Sequence, residues 1–222
     1  MNTIKAISIG TLSSEALKKI ECIINEKKYS ASSSFGFEII SSSLSHIESR
    51  FIERIVSERI YETLEGVEEK IEYVDYYRIT FILRADSIFS LCLIDPPRNT
   101  KYGLQMIRSM LASDAKLKSI EFDLSKLLEL AHKDEKIKIT SASMSNLKVH
   151  DEILAKLKLI SNHNISEFVR EKYQINSGCI DSLSGELNGV PMEISKLGRI
   201  KVSSDHADHT LSMLEKLNIL LN

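Results

Sequence analysis

The residues of this chain with the most evident capacity for chemistry are Asp95 and Arg98, in the segment Asp95-Pro96-Pro97-Arg98. They follow an apolar run that ends at Ile94, and open sheets place ligands where strands end. Pro96 favours extended backbone at Asp95, and the Arg98 guanidinium could clamp a carboxylate or a phosphate. Proline and aspartate are also typical of rigid turns, in which Asp95 and Arg98 would pair with each other or with water. We favour the turn, but if the chain has a ligand site, the sequence places it at these two residues.

A second polar cluster is the segment Asp205-His206-Ala207-Asp208-His209. His206 and His209 would lie on one helix face and could share a metal ion with an aspartate. A metal site needs further ligands from elsewhere, so we favour a hydrated first helical turn whose acidic side chains interact well with the helix dipole. His150-Asp151-Glu152 is interpreted in the same way, as an acidic helix start. The sequence therefore predicts no metal and no cofactor.

Complete catalytic motifs are missing from the sequence. It contains neither G-x-G-x-x-G nor a Walker A motif, and no G-x-S-x-G nucleophile elbow. Three widely spaced cysteines, Cys22, Cys92 and Cys179, predict reduced thiols in a cytoplasmic protein. The sequence therefore does not indicate an enzyme, although a catalytic site assembled from distant residues stays open as an alternative.

The composition is that of an ordinary globular protein. The chain has 222 residues, of which 43% are hydrophobic and 27% charged, and its formal net charge is −2. A chain of this length buries enough surface to fold without disulfides or a metal, and its charge gives no overall attraction to nucleic acid or anionic lipid. No signal peptide and no apolar run of about 18 residues are recognisable, so we expect a cytoplasmic protein outside the membrane. The abundance of Lys, Ile, Asn and Ser is typical of an AT-rich bacterial genome.

Hydrophobic periodicity predicts an α+β fold. The apolar segments 77–83 and 88–94 predict a central hairpin with apolar side chains on both faces, so we expect helices to cover both sides of the sheet. Apolar residues recur every four positions from Ser45 to Leu64, which predicts a helix there, and a further helix is predicted over His150 to Ile160. The remaining helices are predicted to begin at the capping residues Ser13, Thr100, Asp123, Asn164 and Ser203 or Ser204.

The C-terminal part carries the strongest local signal, Asn188-Gly189 between two short strands. This dipeptide predicts a two-residue hairpin turn in which Leu187 faces Val190. The same register places Met192 over Gly185, whose missing side chain it would fill. A third strand and a final helix are predicted to follow.

The polar stretch around residue 134 is the predicted domain boundary. We divide the chain into an N-terminal lobe, residues 1–133, with the central hairpin, and a C-terminal lobe, residues 134–222, which ends in a three-stranded meander and a helix. The predicted fold is a mixed, mainly antiparallel sheet covered by helices in these two lobes. The seam could instead lie inside one continuous sheet.

The lack of a convergent chemical motif favours a non-enzymatic interaction or accessory subunit of a larger cytoplasmic, bacterial assembly, which binds another protein or a second copy of itself. One alternative is nucleic-acid binding through a local basic face, although glutamates alternate with its cations. The other alternative is an enzyme. The cations of the nucleic-acid alternative, which we call the basic strip, would be Lys18, Lys19, Lys27, Lys28, Arg50, Arg54 and Arg59.

Overall fold

A computed structural model describes residues 1–10, 12–62, 64–111, 116–150, 153–173, 179–203, 207–217 and 219. The strands are β1 (Asn2–Ser8), β2 (Phe35–Ser42), β3 (His46–Glu62), β4 (Glu68–Arg84), β5 (Leu91–Ile94), β6 (Lys118–Ser119), β7 (Ile137–His150), β8 (Ile153–Ile160), β9 (Ile180–Leu187), β10 (Val190–Ser195) and β11 (Arg199–Val202). The helices are α1 (Ser14–Glu26), α2 (Lys101–Arg108), α3 (Leu124–Lys133), α4 (Ser166–Tyr173) and α5 (Ala207–Leu217).

All eleven of these strands belong to one sheet. Its order is β2-β3-β4-β5-β1-β11-β10-β9-β7-β8, with β6 paired to β1, and every pairing between these strands is antiparallel. The prediction of an α+β fold with a mainly antiparallel sheet is confirmed. The strands from both parts of the chain join directly through β1, which lies between β5 and β11.

Two buried clusters lie on opposite faces of this sheet. On the front face, Phe51, Phe81 and Leu93 belong to one cluster with apolar residues of α1 and α2. On the back face, Ile4 and Ile200 belong to the other cluster, with residues of α3, α4 and α5. The apolar residues of α3 thus share a core with strands after residue 134, while the domain boundary at residues 133 and 134 stays a prediction.

The helix predicted from Ser45 to Leu64 is wrong, because this segment forms β3. It pairs with β4 over 17 consecutive residue pairs, from His46 with Arg84 to Glu62 with Glu68. The inner half alternates as a strand should, with Ile47 and Phe51 buried on the front face. The outer half is exposed on both faces, so the apolar spacing there reflects no buried helix face.

The helix predicted from His150 to Ile160 is also wrong. The chain continues β7 to His150 and returns as β8, while Asp151 and Glu152 lie outside the described residues. In β8 the half-buried Leu157 and Leu159 alternate with exposed lysines, which is the period of a strand.

Several local predictions are confirmed. Leu187 pairs with Val190, and Asn188 and Gly189 both adopt positive φ, as a tight hairpin turn of this kind requires. The side chains of Ser13 and Asp123 accept hydrogen bonds from backbone N–H groups in the first turns of α1 and α3. Thr100 precedes α2 without a side-chain cap bond, and Ser204 lies outside the described residues.

Candidate functional site

Asp95, the first predicted site residue, closes the end of β5. Its backbone N–H donates to the Thr3 carbonyl at 2.7 Å, and its carboxylate accepts from the Thr3 N–H at 2.6 Å. Asp95 adopts a left-handed φ of 43°, and not the extended conformation that we expected before Pro96. The two bonds to Thr3 hold this turn in place, and thereby extend the β1–β5 ladder beyond Ile94.

Arg98, the second predicted site residue, is exposed beside this turn. Together with Lys5 and Arg199 it lines a cavity of about 380 Å³ that also includes Asp95. Among the described residues, Arg98 forms no ion pair with Asp95 or with any other acid. The structure thus brings Asp95 and Arg98 to one cavity with two further cations, and a ligand there stays a prediction.

Only one histidine of the candidate metal pair, which we did not favour, lies among the described residues. His209 is exposed on α5, whereas His206 lies outside the described residues. Asp208, between them in the sequence, forms an ion pair of 3.3 Å with Arg84. Within the described ranges, no group of three or more His, Cys, Asp or Glu side chains is placed to hold a metal ion.

Cys92 is the described thiol that is fully enclosed by the core. It lies on β5, and burial raises the pKa of its thiol to about 12. Such a thiol stays protonated near neutral pH and is therefore a poor nucleophile.

The main surface feature of the molecule is a projecting β-hairpin, which we call the arm and define as residues 54–62 and 64–76. The arm continues β3 and β4 beyond the pairing of β2, which reaches Glu53, and of β5, which reaches Thr80. All 22 of its described residues are exposed. At about 3.3 Å per residue, nine residues of β3 project by about 30 Å.

The arm carries much of the exposed apolar surface. Ten of the 21 large hydrophobic side chains that are exposed in the described chain belong to it. The β3–β4 register places them on both faces of the hairpin. Those on the front side are Ile55, Tyr61, Ile71 and Tyr73, and those on the back side are Val56, Ile60, Val74 and Tyr76, with Leu64 and Val67 near the tip.

The root of the arm is firmly attached to the body. The Tyr77 hydroxyl donates to the Asn99 carbonyl at 2.6 Å, and burial raises the pKa of Tyr77. The Phe51 ring packs against Tyr77 and Tyr102, with ring centroids 6.4 and 5.8 Å apart. The body therefore fixes the direction in which the arm projects.

The charges of the arm are mainly acidic. It has three basic and seven acidic residues, a net charge of −4. Two pairs of glutamates lie directly opposite each other across the strands, Glu58 with Glu72 and Glu62 with Glu68. Like charges in such cross-strand positions repel. Of these four glutamates, Glu58 alone forms an ion pair with a described residue, Lys70, at 3.7 Å.

A second exposed surface lies on the front face of β1, β7, β8, β9, β10 and β11. Lys5 pairs there with Arg199, and Lys201 lies opposite Glu193, with which it forms an ion pair of 3.0 Å. We call this surface the basic face, because the described side chains at its strand positions include six cations and three acids, a net charge of +3. The cations are Lys5, Lys138, Lys156, Lys158, Arg199 and Lys201, and the acids are Asp181, Glu186 and Glu193.

The basic strip predicted from the sequence does not form one surface. The lysines of α1 lie on a helix packed over the front face, whereas Arg50 lies on the back face and pairs with Glu38 at 3.3 Å. Arg54 and Arg59 alternate between the two sides of the arm. The basic face is made of other residues, which are far apart in the sequence and become neighbours only through the sheet order.

Comparison of the chain with the models of known protein families finds no match, and neither does comparison with curated proteins. None of the helices in the described ranges is both long enough and apolar enough to cross a membrane.

Proposed function

We propose that this protein is a non-enzymatic interaction subunit of a larger cytoplasmic assembly and that the arm is its docking element. The observation that carries this proposal is the exposure of apolar side chains on both sides of a hairpin whose root is anchored in the core. A two-stranded hairpin alone is marginally stable in water, so a long arm with uncovered apolar side chains is best explained by a partner that covers it.

The size of the arm supports the same interpretation. Stable protein interfaces use about 20 to 30 residues on each side, and the arm presents 22 described residues. Its tyrosines and isoleucines combine apolar area with few polar groups to desolvate, and tyrosine is enriched in interfaces. Among the described residues, β2 pairs as far as Glu53, with one further backbone hydrogen bond from Arg54 to Ser34, and β5 pairs as far as Thr80. The charged residues along the free edges of the arm limit unspecific pairing.

Site-specific photo-cross-linking in the cells that produce the protein tests this function. A photoreactive amino acid replaces Ile60 or Tyr73 on the arm, and Glu129, exposed on α3, serves as the control position. We expect adducts of discrete mass from both arm positions and none from the control. Absence of arm adducts, or the same adducts from Glu129, would contradict the proposal.

Nucleic-acid binding is the second candidate function, and the basic face is the observation that favours it. Six cations on one open sheet surface could contact phosphates. However, the strand positions of this face carry no aromatic side chain, and single-strand binding relies on base stacking. A gel shift measured over a series of salt concentrations tests nucleic-acid binding, because binding through phosphates must weaken steeply as the salt concentration rises.

The finer organisation is part of the proposal. We propose that residues 1–133 and 134–222 act as two lobes and that helices cover both sides of the central hairpin, as expected from its apolar composition. The burial of Phe81 on the front face and of Cys92 on the back face, both fully inaccessible to solvent, supports such a covering.

A further inference from the structure

We infer that the arm binds the basic face of a second copy of this chain. This inference rests on the proposed function and names the partner of the arm. It is carried by the complementarity of two surfaces of the same molecule, which carry opposite charge and belong to different halves of the sheet.

The first argument is charge. The arm has a net charge of −4 and the basic face a net charge of +3, although the whole chain has only −2. Complementary potentials of this kind steer association and select partners. The paired glutamates of the arm, Glu58 with Glu72 and Glu62 with Glu68, would each gain cationic neighbours and lose their mutual repulsion.

The second argument is the match of apolar groups. Leu154 and Ile160 lie on the front side of the edge strand β8, with 65% and 73% of their surface exposed. Leu197, in the turn before β11, is 68% exposed beside the same face. These side chains border the cations as the isoleucines and valines of the arm border its glutamates, so both surfaces bury apolar area when they meet.

The third argument is the anion-binding character of one part of the basic face. Lys5, Arg98 and Arg199 line a common cavity, in which Asp95 is the one acid of the described lining, and among the described residues none of the three cations is in an ion pair. A carboxylate of the arm is the kind of group that would bind there, since arginine holds carboxylates with paired hydrogen bonds.

Geometry excludes the simpler arrangements. The arm continues β3 and β4 without a break in register, so it extends along its own sheet and does not fold over its own basic face. Pairing between two arms would bring two charges of −4 together. An arm on the face of another copy uses two different surfaces, so it gives a ring, a filament or a dimer with two such contacts.

Sedimentation of the purified full chain over a range of concentrations tests the inference. It is measured at about 50 mM and at about 500 mM salt, because the Debye screening length shortens from about 14 to about 4 Å over this range.

The arm variant carries Glu58→Lys, Glu62→Lys, Glu68→Lys and Glu72→Lys. The face variant carries Lys156→Glu, Lys158→Glu and Arg199→Glu. A control with the same charge change as the arm variant carries Glu26→Lys, Glu129→Lys, Glu167→Lys and Glu171→Lys, all at exposed positions.

We expect the wild type to associate at low salt and to dissociate at high salt. The arm variant and the face variant should each raise the dissociation constant at least about tenfold, while the control stays within about threefold. A mixture of the arm and face variants should associate again, and so should a chain that combines both sets, because in both cases each arm meets a face of opposite charge. Circular dichroism confirms that each variant is folded.

A wild type that stays monomeric at every concentration and at low salt would overturn the inference. So would equal effects of the arm variant and the control. Binding of a nucleic-acid oligomer that the face variant loses, with the protein itself monomeric, would assign the basic face to nucleic acid instead. Arm cross-links to a different protein would overturn this inference alone, whereas the absence of any arm cross-link would overturn the proposed function as well.

Discussion

Single residues show which parts of the predicted chemistry the molecule retains. Asp95 and Arg98 were predicted together from four residues of sequence, and they do line one cavity. The sequence could not show that the Asp95 carboxylate is engaged by Thr3, because that contact joins residues 92 positions apart. Lys5 and Arg199 were missed for the same reason, since only the pairing of β1 with β11 brings them to this cavity.

Cys92 provides a prediction that depends on pH. Because its pKa rises from 9.0 to about 12 on folding, the stabilisation from the buried neutral thiol is complete below about pH 9 and is lost as the pH rises towards 12. At pH 8 we expect iodoacetamide to modify the exposed Cys22 and to spare Cys92 until the protein unfolds. Mass spectrometry of the peptides measures both rates, and equal rates would show that Cys92 is accessible.

Gly185 provides a prediction about packing. We expected Met192 to fill the space over this glycine, and Met192 does lie opposite it. However, a Cβ atom at residue 185 would also lie 1.9 Å from the Lys138 carbonyl oxygen, because the backbone of β7 approaches closely. Gly185→Ala should therefore lower the free energy of unfolding by about 3 kcal/mol, measured by denaturant titration. Ser184→Ala is the control, and an equal loss in both variants would contradict this explanation.

At the scale of elements, the sequence predicts the structure best where residues close together in the chain determine it. The hairpin at Asn188-Gly189 was predicted down to its register, because two turn residues determine the pairing of their neighbours. The helix prediction for β3 failed because its outer half has no buried face, so hydrophobic periodicity carried no information there. Its content of isoleucine, valine and tyrosine with alternating charges was the available signal, since such residues favour strands.

The two halves of β3 should respond differently to mutation. Phe51 is completely buried at the root of the arm, whereas Ile60 is 58% exposed in its outer part. Phe51→Ala should cost about 3 to 5 kcal/mol of stability, because it opens a cavity among aromatic rings. Ile60→Ala should change the stability by less than about 0.5 kcal/mol. Denaturant titration compares the two, and a large loss for Ile60→Ala would mean that the arm packs against the body.

At the scale of the whole molecule, the net charge of −2 conceals a strong separation of charge. Composition predicted no overall attraction to nucleic acid or anionic lipid, and composition alone cannot show how the sheet order distributes the charges. The acidic arm projects from one half of the sheet, and the basic face lies on the other half. These two surfaces of opposite charge are the reason why we propose a function in association.

The most direct measurement compares the native mass of the wild-type chain in cell extract with that of a variant without the arm. The variant joins the paired residues Ile55 and Asp75 through an Asn-Gly turn and so removes residues 56–74. Because the arm contributes nothing to the buried core, the free energy of unfolding of this variant should stay within about 1 kcal/mol of that of the wild type. We predict that the wild type elutes in a complex and the variant as a folded monomer. A folded variant that remains in the complex would contradict the central claim that the arm is the docking element.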